Sequence, residues 1–167
     1  MRSAATVDAV FEERYWYPDD GSIVWLSGYT LVDETGRYLA RDAPELAARG
    51  LRSSGVAGAA RHHPEALRSD AVAPGRPLEL RRDPGNEHDP NAIAVHAACG
   101  EQVGWVPRAL ASELAPEIDA GGSWSALALR ESRASPRDPR TGLTMMLARA
   151  PAIELRVRGR GPPGAAG

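Results

Sequence analysis

Imidazole and carboxylate side chains gather in the middle of the sequence, and their first chemical interpretation is a metal site. The residues concerned are His62, His63, His88, Asp89 and His96. Such groups bind zinc or manganese and would support metal-dependent hydrolysis. However, no two of these histidines have the spacing of a helical zinc pair, and His96 falls on a strand face directed away from the loop that holds His88. We therefore expect no metal and no cofactor.

Other enzyme classes find equally little support in the sequence. There is no phosphate-binding loop of the helicase and ATPase type, so the chain is not itself a helicase. No order of Ser, His and Asp indicates a nucleophilic triad. We therefore expect a binding protein and not an enzyme.

The composition indicates one globular domain with additions. Of the 167 residues 43% are hydrophobic, enough for a core, and 25% are charged. All 20 basic residues are arginine, which binds phosphate through two parallel hydrogen bonds and stacks on bases. The net charge of −2 argues against tight binding of long DNA at physiological salt. Residues 1–50 hold five arginines and nine acidic residues, whereas 51–167 hold fifteen and thirteen.

The sequence also bears on the compartment. Polar and acidic residues follow Arg2, so no signal peptide is expected, and no window is apolar enough for a membrane span. A single cysteine, Cys99, cannot form an intrachain disulfide and suits a reducing environment. We expect a soluble, cytoplasmic protein without membrane contact.

Residues 1–50 are expected to form an N-terminal extension, interpreted as a β-hairpin packed on the main domain. Ala9 to Arg14 is compatible with a short helix, whereas Ser22 to Val32 is rich in strand-forming residues. Asp33 to Gly36 has the composition of a hairpin turn, and Arg37 to Ala40 is the candidate return strand.

The remaining chain alternates short strands with one clear helix, at about 107–120. Pro107 suits a first helical turn, and Leu110, Leu114 and Ile118 form one apolar face. Strands are expected at 55–60, 78–82, 92–97, 102–106, 124–131, 143–148 and 153–158. This order predicts a mainly β fold, a small OB-like or SH3-like barrel spanning 51–160, followed by a disordered tail at 161–167.

The segment LELRRDPGNEHDPNAIAVHAACGEQVGWVPRALASELAPEID, residues 78–119, resembles the core of the HIRAN domain. The matched features are a strand, an Asn-x-His-Asp-x-Asn-Ala-Ile-x-Val loop and strand, a Gly-x-x-Val-Gly-Trp-Val-Pro strand end and a helix. The resemblance extends over roughly 55–158 and is to the stand-alone bacterial type. It implies an OB-like barrel that binds single-stranded DNA, with the free 3′-hydroxyl end in a pocket.

The resemblance assigns roles to seven residues. Asp89 would accept a hydrogen bond from the 3′-hydroxyl, since a carboxylate attracts a hydroxyl donor and repels a phosphate; a turn-capping role is the alternative. His88 and Trp105 would stack at the pocket, Trp105 having core packing as its alternative. Arg108 would contact phosphate at the helix start. The family holds the terminal nucleotide with an arginine and an adjacent aromatic residue. The alignment of this sequence with that pair is not fixed, so three neighbouring residues are candidates for it: Arg61, His62 and His63.

Two departures from the family pattern bear on end recognition. Glu87 stands where the family has proline, placing a negative charge beside the pocket. The late aromatic that closes the family pocket has no counterpart between Met145 and Val157.

The resemblance implies a role in DNA repair, replication or genome defence, with a helicase or nuclease as protein partner. The alternative is a protein-interaction module on the same barrel without DNA binding. The aromatic residues of the extension would then form either an interface or additional core.

Overall fold

The computed structural model describes residues 4–159, and the expected tail at 161–167 lies outside this range. The described chain contains nine strands and four helices: β1 Ala5–Trp16, β2 Val24–Leu31, α1 Pro44–Ala48, β3 Leu51–Gly55, α2 Ala59–His62, α3 Pro64–Arg68, β4 Pro77–Arg82, β5 Ile93–Ala97, β6 Gln102–Trp105, α4 Arg108–Asp119, β7 Ser125–Arg133, β8 Arg140–Ala148 and β9 Ile153–Val157. The mainly β prediction is confirmed, and α4 is the long helix expected at about 107–120.

One sheet contains all nine strands, and β7 is its branch point. The main path runs β6-β5-β4-β7-β2-β1-β9, while β8 pairs with the other edge of β7 and carries β3. The described strands do not close into a ring by strand pairing alone. An isolated bridge joins Ala57, just beyond β3, to Trp105 at the end of β6. The arrangement is therefore an OB-like barrel whose last seam is a single bridge.

Two hydrophobic cores lie on opposite sides of β7 and β8. Met145 and Leu147 of β8 belong to the first core, with Leu110 and Leu114 of α4. The alternate side chain Met146 belongs to the second core. Both faces of β7 and β8 are buried because side chains alternate along a strand. This explains why 124–131 and 143–148 could be recognised as strands from their apolar content.

The extension differs from the expected local structure in two places. Residues 9–14 lie within β1, which pairs antiparallel with β2 and parallel with β9. Val7, Ala9 and Phe11 alternate toward the second core, and this burial overrides the helical preference of Glu12 and Glu13. The return strand expected at 37–40 is reduced to one bridge, between Val32 and Tyr38.

A third correction concerns 55–60, expected as a strand. The strand lies earlier, at β3, and the chain then turns at Gly58, whose φ is +73°. Glycine adopts this left-handed conformation without the steric cost that a Cβ imposes. The turn starts α2 and brings His62 back over the end of β6.

Candidate functional site

A cavity of about 510 Å³ lies at the seam of the barrel, where the β3–α2 connection, the 83–92 loop and the start of α4 meet the end of β6. We call it the seam pocket. It is lined by Ala57, Gly58, His62, Asn86, His88, Asp89, Ala92, Trp105, Val106 and Arg108. The cavity thus combines one carboxylate, one guanidinium and three aromatic or imidazole rings with an apolar floor.

The Asn86 side chain organises the loop that carries His88 and Asp89. Its Oδ1 accepts from the backbone N–H groups of His88 at 2.9 Å and Asp89 at 3.0 Å. Its Nδ2 donates to Asp83 Oδ2 at 3.1 Å. An amide that satisfies three partners fixes a loop that has few backbone bonds of its own. Asn86 therefore holds Asp89 in place as well as lining the pocket.

Arg82 anchors the far end of the same loop. Its guanidinium donates to the carbonyl oxygens of Ala92 at 2.7 Å and Pro90 at 3.0 Å. It also binds Asp119, at the end of α4, with Nε–Oδ1 at 2.8 Å. The hydrogen bond with Asp119 raises the pKa of Arg82, so this cation persists throughout the accessible pH range. No sequence pattern distinguishes Arg82 from the other arginines of the chain.

The two carboxylate oxygens of Asp89 have different surroundings. Oδ1 accepts from the backbone N–H of Asn91 at 2.9 Å, which is the turn-capping bond considered as the alternative role. Oδ2 lies 3.6 Å from Nε of Arg108, close enough for an ion pair but beyond a normal hydrogen bond. Oδ2 therefore keeps the capacity to accept a hydrogen bond from a ligand. One oxygen of this side chain therefore caps the turn, while the other accepts no hydrogen bond from residues 4–159.

Arg108 closes this side of the pocket while staying open to solvent. Its side chain is 74% exposed, against 18% for Asp89, and it donates to the backbone carbonyl of His88. The position is the first residue of α4, whose first-turn N–H groups have no intrahelical acceptors. A guanidinium and a helix N-terminus therefore face the same side of the cavity.

Aromatic rings form the opposite wall. The His62 ring meets the half-buried Trp105 ring edge-on, with centroids 6.1 Å apart. Close packing along the seam bridge brings these rings together: a Cβ on Gly58 would lie 3.3 Å from His62 and 3.4 Å from Trp105. Trp105 therefore lines the pocket and also packs on its neighbours.

Two of the seven expected site residues lie outside this lining. His63 packs behind Trp105, with ring centroids 5.4 Å apart, and borders a separate cavity of about 330 Å³. Burial first, then the nearby His62 and His96, lowers the pKa of His63. Arg61 is exposed on α2 and makes no hydrogen bond or ion pair with any residue between 4 and 159. Glu87 is exposed and does not line the pocket.

Comparison with known proteins identifies the family. The family model described as "HIRAN domain" matches residues 51–147. The chain belongs to the HIRAN domain family. HIRAN domains are DNA-binding modules, so membership supports a nucleic-acid-binding module and agrees with a non-catalytic role.

Two solved structures are similar to this HIRAN protein. The crystal structure of the HIRAN domain of human HLTF is 25% identical, with a TM-score of 0.44, and the match covers 60% of this chain and 77% of that one. The crystal structure of a protein from Lactobacillus plantarum is 18% identical, with a TM-score of 0.39, covering 57% of this chain and 91% of that one. The search of curated proteins found no match.

Two further observations concern residues 4–159. No group of three or more His, Cys, Asp or Glu side chains in this range is arranged to hold a metal ion. No helix within it has the length and apolar content needed to cross a membrane. Of the histidines that first suggested a metal site, His62 and His88 line the seam pocket, whereas His96 Nδ1 contacts the carbonyl oxygen of Gly100 at 2.8 Å.

Proposed function

We propose that this HIRAN protein binds single-stranded DNA by its free 3′-hydroxyl end, with the terminal nucleotide in the seam pocket. The proposal rests mainly on the surroundings of the two carboxylate oxygens of Asp89. One of its oxygens is fixed by Asn91, and the other faces Arg108 without a hydrogen bond. A fixed carboxylate with one free acceptor suits a hydroxyl donor, and its charge disfavours a terminal phosphate.

Arg108, next to Asp89, supplies a cation for the last internucleotide phosphate of the strand. The last internucleotide phosphate lies one nucleotide from the 3′-hydroxyl, so acceptor and cation must be close together. Arg108 Nε and Asp89 Oδ2 are 3.6 Å apart. The guanidinium can bind the phosphate together with the free N–H groups at the start of α4.

The rings at the pocket supply base contacts that do not depend on sequence. His88 is exposed on one side, and His62 and Trp105 form the other. Stacking on such rings contributes about 1–3 kcal/mol per base and tolerates every base. Arg61 and His63 complete the proposed site from its margin, where Arg61 can reach the strand and His63 supports Trp105 from behind.

The proposal is tested by measuring fluorescence anisotropy of one oligonucleotide sequence in three forms, at low and at moderate salt. The forms are a single strand with a free 3′-hydroxyl, the same strand with a 3′-phosphate, and a blunt duplex. We expect the hydroxyl form to bind at least about tenfold more tightly than the phosphate form or the duplex, because it alone makes one charge-assisted hydrogen bond with Asp89. Equal affinity for all three forms would refute end recognition.

The biological setting follows from the same proposal. A protein that captures free 3′ ends suits DNA repair, replication or genome defence, in the cytoplasm and alongside a helicase or nuclease. These assignments remain predictions.

A further inference from the structure

Three arginines from distant parts of the chain lie near the β7–β8 pair, where the charges of Arg14 and Arg41 act on Arg130. Arg14 is on β1, Arg41 precedes α1, and Arg130 is on β7. The pairing register places Arg130 between Gly28 of β2 and Thr144 of β8. Arg41 reaches the same position, where its Nη2 donates to Thr144 Oγ1 at 3.4 Å. We call these three residues the arginine cluster.

The cluster lacks acidic partners, whereas nine of the fifteen other arginines between residues 4 and 159 form salt bridges. None of the three forms a salt bridge with a residue of the described range 4–159. Glu12 is the carboxylate whose negative charge acts on Arg130, and it accepts hydrogen bonds from the hydroxyl groups of Tyr38 and Thr30. Its oxygens are therefore engaged with neutral donors.

Arg130 is the least favourably placed member of the cluster, because its guanidinium is partly buried beside two other positive charges. It is half-buried, and its Nε is a buried donor without a partner among residues 4–159. Burial, followed by the positive charges of Arg14 and Arg41, lowers the pKa of its guanidinium. Gathering like charges around a buried donor is unfavourable unless an anion satisfies them.

We infer that the arginine cluster is a second subsite for nucleic acid, which binds a backbone phosphate of the strand whose end occupies the seam pocket. This inference rests on the proposed function. The position fits, because Thr144 pairs with Gly55 of β3, two residues before Ala57 in the pocket wall. Because β8 lies between β3 and β7, Arg130 on β7 is two strand spacings, about 10 Å, from the β3 side of the pocket wall.

An exposed aromatic on the same face favours a nucleic-acid strand over an acidic peptide as the occupant. Trp16 follows Arg14 by two residues on β1, so the two side chains share a face, and Trp16 is 54% exposed. Guanidinium groups beside an exposed indole are the combination that binds phosphates and stacks bases in single-strand-binding proteins. Arg14 and Arg41 precede the matched family segment, so this subsite would be particular to chains with such an extension.

The test uses strands that the seam pocket should disfavour, so that the cluster is measured separately. Anisotropy is recorded with 3′-phosphate thymidylates of two and of about twelve nucleotides, the longer of which is within the range of known site sizes. We expect the wild-type protein to bind the longer strand about tenfold more tightly. Arg41→Ala should remove most of this gain and reduce the slope of log affinity against log salt by about one.

Controls separate the cluster from general charge and from the pocket. Arg49→Ala removes another exposed arginine, which pairs with Glu34 at 3.6 Å, and should leave the length dependence intact. The dinucleotide with a free 3′-hydroxyl should bind wild type and Arg41→Ala equally, because its single internucleotide phosphate is the one proposed to bind Arg108 in the pocket.

Each result decides one of the two proposals. Equal affinity for both strand lengths, or equal losses in Arg41→Ala and Arg49→Ala, would overturn the cluster while leaving end recognition intact. A length effect that depends on Arg41, without any preference for a 3′-hydroxyl, would support the cluster and refute end recognition. Competition by a polyglutamate peptide at the same concentration as the oligonucleotide would overturn the nucleic-acid assignment, and failure of every strand to bind would overturn both.

Discussion

Replacing Asp89 by asparagine is expected to abolish the preference for a 3′-hydroxyl end. Asparagine keeps an oxygen for the turn bond from the Asn91 N–H, so the loop retains its conformation. The other position becomes an NH₂ group, which donates and cannot accept from a hydroxyl. Loss of a charge-assisted hydrogen bond should weaken the hydroxyl form about ten- to hundredfold. Binding of the 3′-phosphate form should improve, since the repelling charge is gone.

The control is Arg108→Ala, measured with the same two strands. This change removes a phosphate contact that both strands make, so it should weaken both by a similar factor and reduce the salt slope. The circular dichroism spectrum of Asp89→Asn should match that of the wild type. An Asp89→Asn protein that is folded and still prefers the hydroxyl would show that Asp89 only caps the turn.

Arg140→Met is expected to cause the largest loss of stability. Arg140 is buried on β8 and pairs with the buried Glu131 on β7, with Nη2–Oε2 at 2.6 Å. Its Nη1 also donates to the carbonyl oxygens of Leu67 at 2.7 Å and Ser69 at 3.0 Å, which ties α3 to the barrel. Removing Arg140 leaves a buried carboxylate short of one partner, takes the side-chain donor from the Leu67 carbonyl and leaves the Ser69 carbonyl with the Val72 N–H alone. We expect the free energy of unfolding, from urea denaturation, to fall by about 3–5 kcal/mol.

The double variant Arg140→Met with Glu131→Gln provides the control, because it removes the uncompensated charge as well. Its loss should be clearly smaller than that of Arg140→Met. A loss below about 1 kcal/mol in Arg140→Met would mean that the pair contributes no more than an exposed ion pair does.

The stabilisation by Glu131 should also depend on pH. Burial opposes ionisation of this carboxyl, but hydrogen bonds from Arg133 and Arg140 outweigh it and lower its pKa. A group whose pKa is lower in the folded state stabilises the protein above its unfolded pKa, and the contribution is lost as the pH falls through the folded value. The difference between wild type and Arg140→Met should therefore diminish in acid, below about pH 4.

The loop of the site was predictable from sequence because its conformation is fixed locally. Asn86, Asp89 and Pro90 are turn formers at short spacing, and the hydrogen bonds that shape the loop join residues two or three positions apart. The helix that follows was predictable for a similar reason, since Pro107 and the spacing of Leu110 and Leu114 are local signals.

The opposite wall of the pocket was harder to predict because it depends on contacts between distant segments. Whether His62 or His63 faces the cavity is decided by the turn at Gly58 and by the bridge between Ala57 and Trp105. The support from Arg82 and Arg140 was missed for the same reason, because their partners include backbone carbonyls that no residue type reveals. In the extension, the alternation of Val7, Ala9 and Phe11 did indicate a strand, but adjacent helix-forming residues obscured it.

End recognition in the seam pocket is tested most directly by locating the 3′-terminal base on the protein. A short single-stranded oligonucleotide with a free 3′-hydroxyl and a photoreactive 3′-terminal base would be crosslinked to the protein, and the modified peptides would be identified by mass spectrometry. We expect crosslinks in the pocket wall at 57–62 and in 86–108, and their loss in Asp89→Asn. Crosslinks of the terminal base confined to Trp16 or to other residues of the extension would contradict end recognition in the seam pocket.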